Sequence, residues 1–138
     1  MKTAIVYSSQ TGNTEMMAEQ IRMGAEGAGR DVLYSNLADG FPDKAEVLSS
    51  DLIILGSPAM GSEVLDDDME DFFSSMEGDI SGKKIAIFGS YDWGDGQWLR
   101  DWCDRIEGAG AVCVNGEGLK NHLDEIEEDA CRALGATQ

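Results

Sequence analysis

Short apolar runs alternate with amphipathic stretches along this sequence, and that alternation restricts the fold more than any other feature. The runs at 3–7, 52–55 and 85–88 are continuous rather than alternating in hydrophobicity, as in strands buried on both faces of a sheet, and weaker runs lie at 32–34 and 112–114. Strands that alternate with helices predict a parallel sheet with right-handed crossovers. The predicted fold class is therefore α/β, a doubly wound parallel sheet of five strands.

The segments between the runs have helical spacing. Met17, Ile21 and Ala25 recur at i, i+4 and i+8, and the glycines at 27 and 29 end their pattern. Similar apolar stripes predict helices over 65–76, 98–106 and 126–134, with a weaker pattern at 43–50. No linker, repeat or low-complexity tract interrupts the 138 residues, so we expect one domain over residues 1–138.

The charge of the chain is strongly one-sided, with 27 acidic and 10 basic residues and a formal net charge of −17. Nucleic acids and anionic membranes bind proteins through cationic patches, so both are excluded as partners. The N-terminal run is too short for a signal peptide, and no run reaches the roughly 20 residues of a membrane span. We expect a cytoplasmic monomer whose acidic surface aids solubility, steers it toward basic patches on partner proteins, or does both.

The cysteines and the one histidine predict no reactive or metal site. Cys103, Cys113 and Cys131 have neither CxxC nor metal-ligand spacing, which favours buried or half-buried thiols in a reducing compartment. His122 is expected at the surface or on a loop. No residue pattern calls for a nucleophile or a general base.

The loop after the first run has the composition of a phosphate site without cations. In doubly wound sheets, ligands bind beyond the carboxyl ends of the strands, where the strand order switches. Hydroxyl and amide groups, together with the unpaired N–H groups of a helix start, can bind a phosphate with neutral donors alone. An ordinary N-cap region is the alternative. The candidate residues are Ser9, Gln10, Thr11, Gly12, Asn13 and Thr14.

Two further loops offer flat or flexible apolar side chains. Met60 stands beside Gly61 after the third run, and Tyr91 and Trp93 stand among glycines after the fourth. Loops rarely expose such rings unless the rings cover something flat. A tucked-in methionine and a tryptophan folded onto the core are the alternatives. Together the three loops suit a flat heteroaromatic ligand that carries a phosphate.

Three stretches, YSSQTGNTE at 7–15, ILGSPAMGSE at 54–63 and FGSYDWGDG at 88–96, make the chain resemble a short-chain flavodoxin of the clostridial type. The resemblance runs through the whole chain. It implies the flavodoxin-like strand order 2-1-3-4-5 and a non-covalent FMN at the switch point. It also implies an electron carrier rather than an enzyme, docking transiently on redox partners that have basic patches.

The resemblance assigns roles to individual residues of the three loops. The first loop matches the phosphate site, and the second matches a segment along one face and edge of the isoalloxazine ring. Within it, Glu63 matches an acceptor for the flavin N3–H. Trp93 matches a ring stacked on the opposite face, and Asp92 stands where the pattern has Gly. The ring-binding residues so implied are Pro58, Ala59, Met60, Gly61, Ser62, Glu63, Ser90, Tyr91, Asp92, Trp93 and Gly94.

The resemblance further implies cycling between a neutral semiquinone and an anionic hydroquinone at low potential. Our hypothesis is that the peptide between Gly61 and Ser62 flips, so that the Gly61 carbonyl accepts a hydrogen bond from flavin N5–H. Glycine makes that flip cheap because it tolerates positive φ. Nearby carboxylates and a phosphate without a counter-cation would disfavour the anionic ring.

Two other functions remain open at this point. The first is an FMN-dependent quinone or nitro reductase of the same fold. The second is a non-redox module like a response regulator, which should carry an acidic cluster after the first strand and a lysine after the fifth. The first loop has no Asp, and Lys120 alone is weak support for that module.

Overall fold

The structure is a computed structural model that describes residues 2–8, 13–57, 67–91, 97–114, 119–122 and 128–135. Six strands are present in these ranges: β1 (Lys2–Tyr7), β2 (Asp31–Asn36), β3 (Leu52–Gly56), β4 (Lys84–Tyr91), β5 (Val112–Cys113) and β6 (Leu119–His122). Five α-helices accompany them: α1 (Asn13–Gly27), α2 (Lys44–Leu48), α3 (Asp67–Met76), α4 (Gln97–Gly108) and α5 (Glu128–Gly135). Single 3-10 turns span Leu37–Asp39 and Glu77–Asp79.

All the strands pair in parallel, and the sheet order β2-β1-β3-β4-β5 confirms the predicted fold. The fifth position of the sheet is divided between two segments. β5 pairs with Lys84 and Ile85 at the start of β4, whereas β6 pairs with the stretch from Phe88 to Tyr91 at its end. The run at 112–114 therefore supplies only the first part of the fifth strand.

β6 is a strand that hydrophobicity does not predict, because its sequence LKNH has a single apolar residue. Its pairing partner, the last part of β4, supplies the hydrogen bonds that hold it in the sheet. His122 lies at the end of β6, so its backbone is in a strand rather than on a loop. The exposure of its side chain lies outside the description.

Each of the central strands divides its side chains between two cores. Val6, Ile53 and Ile87 contribute to a core with the apolar faces of α3 and α4. Their strand neighbours Ile5 and Ile54 pack on the other face with α1 and α5. This alternation explains the unbroken apolar runs, because residues 3–7 of β1 and all of β3 are buried on one face or the other. The predicted helix stripes at 17–25 and 69–76 are confirmed as buried faces of α1 and α3.

Helices α1 and α5 approach each other backbone to backbone through two glycines. A Cβ atom on Gly24 would overlap the carbonyl oxygen of Arg132, and one on Gly135 would overlap the carbonyl oxygen of Ile21. The Arg132 side chain also donates from Nε to the Gln20 Oε1 atom at 2.9 Å. Only glycine permits this approach, so the position of α1 on the sheet depends on α5.

Arg105 ties α4 to the helix that follows the second candidate loop. Its guanidinium donates to both carboxylate oxygens of Glu77 at 2.8 and 2.9 Å and to Glu70 at 2.9 Å. It also lies over the Phe73 ring, 4.8 Å from the ring centre. The hydrogen bonds from Arg105 and then Ser74 lower the pKa of the Glu70 carboxyl. The part of the bridge that involves Glu70 is therefore lost only in acid, when that carboxyl is protonated.

The prediction of three thiols is wrong for two of the cysteines. Cys103 in α4 and Cys113 in β5 form a disulfide, with Cα atoms 5.7 Å apart, and Cys131 is a buried thiol. The chain turns back between α4 and β5, so a residue in the middle of the helix faces the neighbouring strand. The ten-residue separation of the two cysteines does not by itself indicate this contact.

We expect Gly24→Ala to lower the free energy of unfolding by at least about 2 kcal/mol, because the new methyl group separates α1 from α5. Gly27→Ala is the matched control in the same helix, since a Cβ atom at Gly27 meets nothing within 4 Å. The control should change that free energy by less than about 0.5 kcal/mol. Urea unfolding of both variants measures the difference, and equal effects would contradict the glycine contact.

Reduction of the disulfide should lower the free energy of unfolding by roughly 2–3 kcal/mol, because the unfolded chain loses a short closed loop. Thiol titration in denaturant should find one thiol in the unreduced protein and three after reduction. The Cys103→Ala, Cys113→Ala double variant provides the control, since its stability should not respond to dithiothreitol. Three titratable thiols before reduction would refute the disulfide.

Candidate functional site

The carboxyl ends of β1, β3 and β4 meet at one edge of the sheet. Tyr7 is in register with Gly56, and Gly56 is in register with Phe88. The pairing continues beyond the strands, since the Ser8 N–H donates to the Gly56 carbonyl at 3.0 Å and the Ser57 N–H donates to the Phe88 carbonyl at 3.2 Å. All three candidate loops therefore leave the sheet at the same edge, and β4 continues three residues beyond Phe88, to Tyr91, before the third loop.

Small or tightly packed residues lie at this edge of the sheet. Ser8 and Ser57 are buried directly after their strands. A Cβ atom on Gly56 would overlap the ring of Phe88, which is itself fully buried. The glycine at the end of β3 thus lets the aromatic ring of β4 pack across it. A larger residue at position 56 would therefore displace the Phe88 ring at this edge of the sheet.

The first loop is bounded by a buried residue at each end. Ser8 precedes it, and Thr14, in the first turn of α1, has no exposed surface. α1 begins at Asn13, so its first N–H groups lie where the loop ends. A helix of this length adds a partial positive charge at its N-terminus. An anion at this place would meet neutral donors and a helix end rather than a basic side chain.

Behind the first loop lies a cluster of two tyrosines with charged neighbours. The Tyr7 hydroxyl donates to the Glu15 Oε1 atom at 3.2 Å. The Tyr7 and Tyr34 ring centres are 5.3 Å apart, and the Arg22 guanidinium lies 4.7 Å from the Tyr34 ring centre. Burial is the main cause that raises the pKa of the Tyr7 phenol far above its usual value. The phenol is therefore a permanent donor at physiological pH.

The structure describes only some of the predicted site residues. Thr14 is at the predicted edge and buried, and the backbones of Asn13, Ser90 and Tyr91 are in α1 and β4. The contacts of all these side chains with a ligand stay predictions. The remaining predicted residues lie outside the described part of the chain: Ser9, Gln10, Thr11, Gly12, Pro58, Ala59, Met60, Gly61, Ser62, Glu63, Asp92, Trp93 and Gly94.

Tyr7 and Glu15 are site neighbours that the sequence prediction missed. Their only sequence signal is position, one residue before Ser8 and one residue after Thr14. Within the described ranges, no group of three or more His, Cys, Asp or Glu side chains is arranged to hold a metal ion. Nor does any helix in those ranges have the length and apolarity needed to cross a membrane.

Comparison with known proteins agrees with the fold. The profile of the Flavodoxin family matches residues 5–133. The flavodoxin of Clostridium beijerinckii is 48% identical over 127 residues, covering 91% of each chain. The flavodoxin of Megasphaera elsdenii is 42% identical over 132 residues, covering 95% of this chain and 93% of that protein.

A solved structure gives the same result. The solution structure of two-electron reduced Megasphaera elsdenii flavodoxin superimposes with a TM-score of 0.83 at 40% identity, covering 97% of this chain and 96% of that one. The resemblance to flavodoxins that the three motifs indicate is thereby confirmed over almost the whole chain. The chain belongs to the flavodoxin family, whose members bind FMN and transfer electrons rather than act as enzymes.

Proposed function

We propose that this chain is a low-potential one-electron carrier that shuttles electrons between redox enzymes. It would hold FMN non-covalently and cycle it between the neutral semiquinone and the anionic hydroquinone. The observation that supports this function is the common origin of the three loops at Ser8, Ser57 and the end of β4, held by the backbone bonds between neighbouring strands. One domain over residues 1–138 provides the whole site.

The described residues fit FMN at this edge. Buried serines and the start of α1 provide a neutral, narrow place for a phosphate, with Thr14 at its boundary. Residues 9–14 would bind the phosphate, and residues 58–63 and 90–94 would enclose the ring, with Trp93 on one face and Met60 at the other. When bound, FMN supplies the redox chemistry, because its ring takes up and releases single electrons. The chain binds and orients the ring and limits the access of water.

Charge near the edge favours a low potential. α3 begins at Asp67, and its first turn contains Asp67, Asp68 and Glu70, of which Glu70 is paired with Arg105. Asp67 is exposed, so its charge faces solvent beside the loops. Helices that follow parallel strands begin near the carboxyl edge of the sheet, and this supports a position of Asp67 and Asp68 near the proposed cofactor site. Negative charge there opposes the addition of a further negative charge to the ring.

The same charge suits transient docking. A chain with a net charge of −17 attracts basic surfaces over long range, and such steering speeds encounter at low salt. A small interface around an exposed ring edge fits a carrier that must release its partner quickly. We propose a cytoplasmic monomer whose partners have basic docking patches.

Anaerobic reductive titration of the FMN-loaded protein tests the proposed function. Half-reduction should accumulate the long-wavelength absorbance of a neutral semiquinone. Direct two-electron reduction, together with rapid NAD(P)H oxidation by the purified protein alone, would favour the reductase alternative. A colourless protein without affinity for FMN would favour the response-regulator-like module.

The charge argument makes a separate prediction about the second, semiquinone-to-hydroquinone potential. Asp67→Asn should raise that potential by roughly 10–30 mV at low ionic strength, because one unit of repulsion near the ring is removed. Asp79→Asn is the matched control: Asp79 is also exposed, but it lies beyond the far end of α3. Its effect should be negligible, and both effects should shrink in about 1 M salt. Equal shifts for the two variants would contradict a local electrostatic effect.

A further inference from the structure

We infer that Tyr7 and Glu15 are positioning residues, whose hydrogen bond clamps the two ends of the phosphate-binding segment 8–14 at a fixed separation. The inference rests on the proposed function, because it assigns the clamp to FMN binding. It concerns the described residues on either side of the segment. Neither residue is expected to touch the cofactor.

The first step is geometric. Tyr7 is the last residue of β1 and Glu15 lies in the first turn of α1, so the seven residues between them start and end at one side-chain hydrogen bond. Both stems are anchored elsewhere as well, by the bond from the Ser8 N–H to the Gly56 carbonyl and by the burial of Met17. A segment whose ends are already held loses less conformational entropy when a ligand orders it.

The second step concerns the donor. Tyr7 is only 2% exposed, and its ring packs between the sheet, α1 and Tyr34. Burial keeps the pKa of this phenol far above neutral pH, so the hydroxyl stays protonated. A buried hydroxyl needs a partner, and the hydrogen bond to Glu15 provides one. Loss of the Glu15 acceptor would therefore leave Tyr34 as the neighbouring side chain of this hydroxyl and would free the helix start.

The third step concerns the carboxylate. Glu15 is the acidic residue in the first turn of α1, next to a segment that contains no cation and is expected to bind a dianion. A carboxylate free to turn toward the phosphate would repel it. The bond to Tyr7 directs this carboxylate to the side of α1 that packs on β1 and β2. The clamp thus fixes the loop ends and also controls where a nearby negative charge lies.

The test compares FMN with riboflavin, which has the same ring and lacks the phosphate. Flavin fluorescence quenching gives the Kd of each for the apoprotein. Tyr7→Phe should raise the Kd for FMN about 3- to 10-fold, as expected for the loss of one hydrogen bond. Glu15→Ala should raise it by less, because this variant also removes the carboxylate that would repel the phosphate. Both variants should leave the Kd for riboflavin within about twofold. Glu15→Gln keeps an acceptor oxygen and should restore most of the FMN affinity.

Glu19→Ala is the matched control, because it removes an exposed carboxylate from the same helix one turn further along. It should change neither Kd. Equal weakening of FMN and riboflavin in both clamp variants, or no weakening of FMN in Glu15→Ala, would overturn the inference even if Tyr7→Phe fails to fold. Absence of FMN binding by the unaltered protein would instead overturn the proposed function, and the clamp with it.

Discussion

Parallel backbone pairing between β1, β3 and β4 is the interaction on which the rest of this structure depends. It places Tyr7, Gly56 and Phe88 side by side and extends one residue further through the amides of Ser8 and Ser57. Three loops that are far apart in sequence therefore begin at the same edge of the sheet. The chemistry proposed for the site needs no rare side chain, only this common origin and suitable residues beyond it.

Contacts away from this edge of the sheet hold the helices into which the three loops continue. The glycine contact between α1 and α5 sets the separation of these two helices, and α1 begins at the end of the first loop. On the other face, Arg105 joins α4 to α3, the helix that follows the second loop. Each loop thus continues into a helix that is held by a contact independent of any ligand. Preorganisation of this kind lowers the cost of binding a cofactor.

Hydrophobic periodicity was enough to predict β1, β3 and β4 and the buried faces of α1 and α3, because both faces of the sheet are covered. It did not predict β6, which is held by its pairing with β4 rather than by apolar residues. The bond between Cys103 and Cys113 and the contact between Tyr7 and Glu15 also escaped prediction. Both depend on how a helix is rotated against a strand, which residue spacing does not specify. Of the candidate site, the sequence predicted the loops but not the residues that support them from behind.

The packing of α1 against α5 has a consequence for how the protein is made. α1 leaves the ribosome early, whereas residues 128–135, which cover one side of it, are synthesised more than a hundred residues later. During that interval the nascent chain exposes the glycine-lined side of its first helix and lacks part of the α1 core. The native packing of α1 against α5 is therefore completed only after residues 128–135 have been synthesised.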